Sequence, residues 1–322
     1  MTLLKATFAP KTAFATSLMG DTLFGQICWA IRHGWGEARL IDLLDGYTSG
    51  RPFLVVSDAF PAGHLPMPAL PSRYWAIETD PSQRKALKRR VWLPQAEFAR
   101  PLAEWPQYAR EPKEAGAEVA DRAQPRNSLN RLTLATGKGD GFAPYSVRQH
   151  WFAPGARLDV HLRLDEARLG RPDLQAALQA VGLTGYGKDA NVGLGKFTLE
   201  TLEAGNIATV DDANAWLTLA PCAPQGLGFD PARSYWRPFT RYGRHGAEAV
   251  LTGQSFKAPL LMVNTGAVLT PIPPAEGLEV RVLFIGQGLG GDGSLSKAIA
   301  ATVHQGYAPV VGIHLPDGEY KQ

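Results

Sequence analysis

Apolar and polar residues alternate in some stretches of the chain and recur every three or four residues in others, which predicts a mixture of strands and helices. Residues 2–9 have the pattern of a strand, and a second strand, FLVVSDAF, is predicted at 53–60. Asp21 lies where a helix N-cap is expected, and an amphipathic helix should follow it. The apolar face of this helix consists of Leu23, Phe24, Ile27, Cys28 and Ile31.

The middle of the chain predicts two more strands, a helix and a closing strand. Strand-like runs at 143–153 and 156–165 are separated by a Pro-Gly pair, which indicates a β-hairpin. Residues 173–181 have helical spacing, with Gly182 as the expected stop. The strand FTLETL then begins at Phe197.

These elements follow the order strand, helix, strand, strand, helix, strand, which is that of a ferredoxin-like unit. We therefore predict an α+β protein with two tandem ferredoxin-like (RRM-like) domains, at 1–205 and 206–322. The second domain is less regular than the first. Its expected elements are strands around 215–220, 259–264 and 279–285, a helix near 295–304, and a closing strand at 308–315.

Residues 62–125 show no clear period. Prolines interrupt the segment, and three tryptophans lie among its charged residues. Long irregular stretches of this kind are unusual inside a regular fold unit. We predict that they form a large insertion in the first domain.

The composition is that of a globular protein, since 45% of the 322 residues are hydrophobic and 20% are charged. This balance argues against a disordered chain. Only Cys28 and Cys222 are present, so neither a thiolate metal site nor a disulfide framework is indicated. No run approaches the roughly 18 apolar residues of a membrane-spanning helix. We expect a soluble, unexported protein of the reducing cytoplasm.

The net charge of +3 is unevenly distributed along the chain. Residues 84–131 contain eleven Lys and Arg against six Asp and Glu, and the remaining residues contain 22 against 24. A basic segment on a near-neutral body is typical of a surface that binds a polyanion. A solvated helix over 84–90 explains much of the same charge without a partner.

The densest glycine cluster is GYGKDANVGLGKF at 185–197, where four glycines and two lysines fall within thirteen residues. Glycine permits left-handed backbone and lets a ligand approach bare N–H groups. The phosphate loop of nucleotide hydrolases is excluded, because Ala190 replaces its first glycine and Phe197 replaces its Ser or Thr. Two interpretations remain, a cationic loop that cradles a backbone phosphate and an ordinary helix-to-strand connection.

A second glycine cluster, at 286–291, matches GxGxxG after a predicted strand. In dinucleotide-binding proteins this fingerprint opens a doubly wound sheet with further strands and helices, whereas only one more strand is predicted here. A nucleotide-cofactor enzyme is therefore kept only as an alternative, and no cofactor is expected. Gly286, Gly288 and Gly291 stay candidates for close approach of a phosphodiester backbone.

Patterns typical of catalysis are weak. None of the seven histidines has a metal-ligand spacing such as HExxH, and no GxSxG elbow is present. His150 and His304 are the candidates for a general base in RNA cleavage, although the sequence gives neither a visible partner. A metal-independent endoribonuclease is thus a second alternative.

Five stretches that span nearly the whole chain carry a family resemblance. They are GDTLFGQICWA at 20–30, FLVVSDAFP at 53–61, RNSLNRLT at 126–133 with the Gly137-Lys138-Gly139 turn after it, GYGKDANVGLGKF at 185–197, and VHQGYAP at 303–309. In this order they resemble the RAMP superfamily of CRISPR proteins, and within it the fourth-subunit family of type III-A (Csm) effector complexes.

The resemblance implies a non-catalytic protein of two ferredoxin-like domains. Members of this family cap one end of the ribonucleoprotein and grip the repeat-derived 5′ handle of the crRNA. They also contact the large polymerase-like subunit and the first backbone RAMP subunit. A β-hairpin "thumb", which would lie at about 133–155 here, displaces a base in related subunits.

The resemblance also implies site residues, which we expect to contact handle RNA because cations, amides and bare glycines suit a single strand. Phe142 and Tyr145 have two equal interpretations, stacking on bases or packing within the hairpin. Lys138 is expected at or near the thumb tip. The remaining expected contacts are Lys188, Asn191 and Lys196 in the glycine loop, and Arg126, Asn130, Arg131 and Thr133 ahead of the thumb.

Overall fold

Two four-stranded antiparallel sheets form the framework of the protein. Helices and antiparallel sheets are mixed, which confirms the predicted α+β class. The computed structural model describes residues 1–76, 85–207, 210, 212–246, 249, 251, 253–272 and 282–316. None of the helices in these ranges is long and apolar enough to cross a membrane.

The helices and strands are numbered here in chain order. They are β1 (Thr2–Pro10), α1 (Gly20–Trp35), α2 (Glu37–Leu44), β2 (Leu54–Pro61), β3 (His64–Pro66), β4 (Trp92–Pro94), α3 (Trp105–Tyr108), β5 (Val119–Arg126), β6 (Tyr145–Phe152), β7 (Leu158–Leu164), α4 (Arg171–Thr184), β8 (Phe197–Ala204), β9 (Ala215–Thr218), β10 (Pro238–Arg241), β11 (Leu260–Val263), β12 (Val268–Leu269), β13 (Phe284–Gly290) and β14 (Val303–Ile313).

The first sheet has the strand order β2-β7-β1-β8. Helices α1 and α2 lie between β1 and β2 in the chain, and α4 lies between β7 and β8. The order predicted for the first ferredoxin-like unit is therefore observed. The predicted apolar face of α1 is buried as well, with Leu23, Phe24, Ile27 and Ile31 packed in the core of this unit.

Helix α4 extends beyond its predicted stop. Gly182 lies inside the helix, where a Cβ atom would come within 2.4 Å of the carbonyl oxygen of Phe197. The glycine therefore allows the helix to pack closely on β8 and does not end it. The C-cap is Gly185, whose φ of +102° is readily adopted only by glycine.

Asp21 does not cap α1. The N-cap residue is Met19, and no side chain makes the capping hydrogen bond. Asp21 lies in the first turn and is 3% exposed. Its carboxylate instead binds Arg241 and His304, so the expected N-cap is replaced by an ion pair that joins the two halves of the chain.

The hairpin predicted from 143–153 and 156–165 is wrong. Strand β6 pairs with β5, in the register Val119↔Phe152 to Arg126↔Tyr145. Strand β7 pairs with β1 on one side and β2 on the other. Because both edges of β7 are occupied, it has no free edge for β6, and the Pro-Gly pair redirects the chain from one sheet to another.

The second sheet has the order β12-β9-β14-β13, while β10 and β11 form a separate two-stranded sheet. Strands are observed near the positions expected at 215–220, 259–264 and 308–315. Residues 279–281 of the other expected strand lie outside the described residues. The described ranges of this half contain no α-helix between the strands, and the tandem ferredoxin-like arrangement stays a prediction.

The helix predicted near 295–304 is wrong. Residues 291–301 form bends and turns, and β14 already begins at Val303. There β14 pairs with β13 and, further along, with β9. The long-range pairing of β14 overrides the helical spacing of the segment.

The segment 62–125, predicted as an insertion, contains β3, β4, α3 and β5. Its apolar side chains are not isolated from the rest of the protein. Residues from the insertion and from the second sheet share one buried cluster, which includes Leu65, Leu93, Phe98, Trp105, Leu217, Val311 and Ile313. The insertion therefore links the first domain to the second sheet.

Candidate nucleic-acid interface

The glycine loop, residues 185–196, connects α4 to β8 and folds back on itself. Gly185, Gly187, Gly193 and Gly195 all have φ between +74° and +102°. A Cβ atom at Gly195 would lie 2.1 Å from the carbonyl oxygen of Tyr186. The backbone of the loop is thus shaped by its own close contacts, as expected of a glycine-rich turn.

Several N–H groups of this loop bind protein atoms. Lys188 N donates to Thr16 Oγ1 at 3.0 Å, and Lys196 N donates to Thr12 Oγ1 at 2.9 Å. Gly195 N donates to the carbonyl oxygen of Ala13 at 2.7 Å. These three donors are therefore not bare, and the loop presents its side chains instead.

The cationic side chains of the loop reach solvent. Lys188 and Asn191 are exposed, and Lys196 is half-buried. None of these side chains has a hydrogen-bond or ion-pair partner within the described part of the chain. Their charged and amide groups are available to a ligand.

The hairpin formed by β5 and β6, with the loop 127–144 at its tip, meets the glycine loop through one ion pair. Arg126 Nη1 lies 3.1 Å from Asp189 Oδ2, and both side chains are largely buried. Asp189 has a left-handed φ of 64°, which is uncommon outside glycine. This ion pair joins the glycine loop to the hairpin, and the expected contact of Arg126 with phosphate stays a prediction.

The side-chain oxygen of Asn130 is also engaged. Oδ1 accepts hydrogen bonds from Leu132 N at 2.9 Å and from Thr133 N at 3.4 Å, which shapes the tip of the hairpin. The side chains of Arg131, Thr133 and Lys138 are exposed. They have no partner among the residues that the structure describes.

The two aromatic candidates in the hairpin have different surroundings. A Cβ atom at Gly137 would lie 2.5 Å from the ring of Phe142, so this ring packs inside the turn. Tyr145 is 50% exposed and lies opposite Arg126 in the ladder. Of the two interpretations left open above, packing fits Phe142 and stacking fits Tyr145.

The hairpin carries further cationic and aromatic residues that were not predicted from the sequence. The guanidinium carbon of Arg122 lies 5.6 Å from the centroid of Trp151, and Trp151 is 39% exposed. Arg148 is exposed and has no ion pair within the described ranges. The basic character of 84–131 was a signal for Arg122, but the strand β5 went unrecognised within the proline-rich insertion.

The two candidate histidines are both paired. His150 Nδ1 lies 2.6 Å from Asp121 Oδ1 across the β5–β6 ladder, a partner that the sequence did not reveal. His304 is 7% exposed, and its Nε2 lies 3.2 Å from Asp21 Oδ2. The buried position of His304 keeps it away from any substrate on the surface.

Asp21 is the centre of a buried ionic cluster. Burial alone would raise the pKa of Asp21, but hydrogen bonds and charge from His304 and Arg241 outweigh it and hold this pKa well below its usual range. Arg241 binds both carboxylate oxygens, with Nε 2.6 Å from Oδ2. The cluster ties α1 to β10 and β14.

Asp58 lies close to this cluster and also joins the two halves of the chain. It accepts hydrogen bonds from Gly20 N at 2.7 Å and from Thr265 Oγ1. Burial raises the pKa of Asp58 to about 7. The group therefore titrates close to neutral pH.

The glycines of the second cluster contact protein. A Cβ atom at Gly286 would lie 2.0 Å from the carbonyl oxygen of Gly306, and one at Gly288 would lie 2.5 Å from that of Tyr47. Gly291 has more space, with its nearest neighbours at 3.6 Å or beyond. Most of the GxGxxG motif lies within β13, and no helix follows it in the described ranges, so it lacks the strand–turn–helix context of a dinucleotide site.

The structure also bears on metal binding. Among the described residues, no group of three or more His, Cys, Asp or Glu side chains is placed to hold a metal ion.

Comparison with known proteins gives a consistent picture at the level of the fold. No family model and no curated protein matches the chain. A chain from the crystal structure of a Csm1–Csm4 cassette in complex with pppApA superposes with a TM-score of 0.62 at 18% identity, covering 99% of this chain and 100% of that one. A cassette structure in complex with AMPPNP gives 0.59 at 19% identity, with coverages of 99% and 100%.

A third solved structure supports the same conclusion. A chain from the Csm3–Csm4 subcomplex of the type III-A CRISPR–Cas interference complex superposes with a TM-score of 0.58 at 10% identity, covering 98% of this chain and 100% of that one. The resemblance inferred from the sequence is thus confirmed at the level of the fold, which over nearly its full length is that of a chain found in Csm4-containing complexes.

Proposed function

We propose that this chain is the RNA-binding subunit of a type III-A CRISPR effector ribonucleoprotein that holds the 5′ handle of the crRNA in antiviral defence. The observation that carries the proposal is the full-length match to chains of Csm4-containing complexes. In this chain, the glycine loop and the β5–β6 hairpin meet at the Arg126–Asp189 ion pair. Together they form one surface, which we call the handle surface.

The chemistry of the handle surface suits a single strand of RNA. Lys188, Arg131, Lys138 and Arg148 are exposed cations without partners in the described part of the chain, and they supply counter-charge to phosphates. Tyr145 offers an exposed ring for an unstacked base. Phosphate contacts position the strand, and the aromatic contacts hold its bases.

We further propose that the chain bridges the large polymerase-like subunit to the RAMP backbone. The tip of the hairpin exposes Leu129, Leu132 and Leu134 by 63%, 96% and 83%. Exposed apolar residues clustered in this way are typical of protein interfaces. Charged and apolar groups at one tip suit a subunit that contacts RNA and protein together.

The proposed role is non-catalytic. His304 is buried against Asp21, and the glycines at 286 and 288 pack on protein, which supports neither catalytic alternative. The endoribonuclease alternative retains one favourable observation, the contact between His150 and Asp121. A carboxylate that orients a histidine is a common arrangement of a general base.

Incubation with repeat RNA separates these functions. The purified chain, without added metal, should leave a labelled repeat RNA intact over hours while binding it. Cleavage at one position, abolished by His150→Ala, would contradict the non-catalytic role and support the endoribonuclease alternative. His314→Ala serves as the matched control, because His314 is also paired with a carboxylate, that of Asp212, but lies outside the handle surface.

Binding to the handle is tested by salt dependence. Lys188→Ala and Arg131→Ala should each weaken binding of an RNA that carries the repeat-derived handle. Each should also reduce the slope of log affinity against log salt by about 0.7, the value for one phosphate contact on a single strand. Lys88→Ala, which removes an exposed lysine of the insertion, should leave the slope unchanged.

A further inference from the structure

A two-stranded ribbon in the second half of the chain lies outside both four-stranded sheets. Strands β10 and β11 pair in the register Pro238↔Val263 to Arg241↔Leu260. The pairing resumes beyond them, with Lys257 N donating to the carbonyl oxygen of Gly243 and a bridge between Arg244 and Phe256. We call residues 238–244 and 256–263 the ribbon.

The inner side of the ribbon is firmly anchored. Met262 is fully buried, and Arg241 forms the ion pair with Asp21. Next to the ribbon, His245 Nε2 lies 2.6 Å from Ser296 Oγ. The ribbon is therefore held in place before any ligand arrives.

The outer side of the ribbon exposes large apolar side chains. Tyr242, Phe256 and Leu261 are 76%, 71% and 62% exposed. Tyr242 and Arg244 are two residues apart on one strand and therefore point to the same side of it. The guanidinium carbon of Arg244 lies 5.3 Å from the ring centroid of Phe256.

The charge of this segment points to a polyanion. Residues 235–263 contain four Lys and Arg and one acidic residue, and the run YWRPFTRYGR interleaves arginines with aromatic residues. Arg244 uses only Nε in a hydrogen bond, to Ser255 Oγ, so its terminal N–H groups have no hydrogen-bond or ion-pair partner within the described ranges. Arg237 is exposed too.

We propose that the outer side of the ribbon binds single-stranded RNA, with bases stacked on Tyr242 and Phe256 and a phosphate bound by Arg244. Aromatic platforms interleaved with cations bind single strands in this way, because every base has a π-face and every linkage carries a charge. The exposed cations Arg237 and Arg244, against one acidic residue in 235–263, favour this ligand over an apolar protein surface.

The ribbon is also connected to the handle surface. Arg241 Nη2 contacts Met19 Sδ at 3.4 Å, and Met19 N donates to Tyr186 Oη of the glycine loop at 3.0 Å. The two surfaces thus adjoin the same segment before α1. The inference rests on the proposed function only for the choice of RNA as the nucleic acid, since the stacking chemistry is independent of it.

The test uses the full chain and a fluorescein-labelled, unstructured RNA of about 20 nucleotides, longer than the roughly 4–16 nucleotides of one site. The double variant Tyr242→Ala/Phe256→Ala should weaken binding by about tenfold or more without changing the salt slope. Arg244→Ala should lower the slope by about 0.7. Leu251→Ala is the matched control, because Leu251 is 86% exposed but lies off the ribbon.

The outcomes separate this inference from the proposed function. Loss of affinity in the ribbon variants but not in Lys188→Ala and Arg131→Ala would support the ribbon and remove the handle surface. The opposite pattern would overturn the ribbon alone. Unchanged RNA affinity together with lost co-purification of partner subunits would make the ribbon a protein interface and likewise overturn the inference.

A second readout does not depend on affinity. RNA that contains 4-thiouridine, irradiated in the complex, should crosslink to the peptides that contain Tyr242 or Phe256. Crosslinks confined to the hairpin and glycine loop would contradict RNA on the ribbon. Equal thermal melting of all variants would show that none of these exposed substitutions acts through unfolding.

Discussion

The glycine loop at 185–196 and the glycine-rich strand β13 have similar compositions and opposite surroundings. In the loop, glycines with positive φ fold the backbone tightly, and the side chains of Lys188 and Asn191 remain in solvent. In β13, Gly286 and Gly288 make room for the backbones of Gly306 and Tyr47. Glycine density therefore predicts a close approach, while the neighbouring element decides what approaches. Substitutions near β13 should change stability, and those in the loop should change RNA binding.

The largest expected effect concerns the ionic cluster that joins α1 to β10 and to β14, the partner strand of β13. Asp21→Ala should lower the free energy of unfolding by about 3–5 kcal/mol, because it leaves Arg241 and His304 without their buried partner. Urea denaturation at pH 7 measures this. Asp42→Ala breaks an exposed pair with Arg39 and should change it by at most about 1 kcal/mol. Equal effects of the two variants would refute a special role for the buried pair.

The second expected effect is on pH dependence. The pKa of Asp58 is raised by burial from 3.8 to about 7, so the folded state holds a proton that the unfolded state releases between these values. The contribution of Asp58 to the free energy of unfolding is fully present below pH 3.8, the unfolded-state pKa. It declines by up to about 1.4 kcal/mol per pH unit as the pH rises toward 7. Asp58→Asn should flatten this decline in urea titrations, whereas Asp140→Asn, on an exposed turn, should not.

The third effect compares the two glycine clusters directly. Gly288→Ala should destabilise the protein by about 2–3 kcal/mol, because its Cβ would lie 2.5 Å from the carbonyl oxygen of Tyr47. Gly193→Ala has open space around its Cβ and should cost about 1 kcal/mol, through its φ of +91° alone. Thermal denaturation distinguishes them. A reversed order would mean that β13 tolerates side chains that the loop does not.

The smallest effect on stability is expected for the loop lysine. Lys188→Ala should leave the free energy of unfolding within about 0.5 kcal/mol of the native value, since the side chain is exposed and unpartnered in the described residues. Its affinity for handle RNA should nevertheless fall. Fluorescence anisotropy and urea denaturation of one preparation measure both properties. A loss of stability without a loss of affinity would assign Lys188 to the scaffold.

Local patterns were sufficient where neighbouring residues decide the structure. Three predicted elements are observed: the amphipathic helix α1, the strand at 53–60 and the loop that follows α4. Each depends on residues that are close together in the sequence. The family resemblance also indicated Arg131, Lys138 and Lys188, which are exposed, as candidate RNA contacts. Their contacts with RNA stay a prediction.

The features that the sequence did not reveal all depend on distant partners. The strand β5 is defined by its pairing with β6, which no local pattern predicted. The same pairing places Asp121 next to His150. Asp21 lies 220 residues from its partner Arg241. Val303 and His304 belong to a strand because they pair with β13, although the local spacing favoured a helix.

The sequence by itself thus determined the class of the fold, the order of the first unit and the composition of two glycine clusters. The tertiary structure decided which edges were free, which charges were paired and which glycines faced protein. The physical reason is that strand pairing and burial of charge depend on residues far apart in the chain, whose proximity no local pattern encodes.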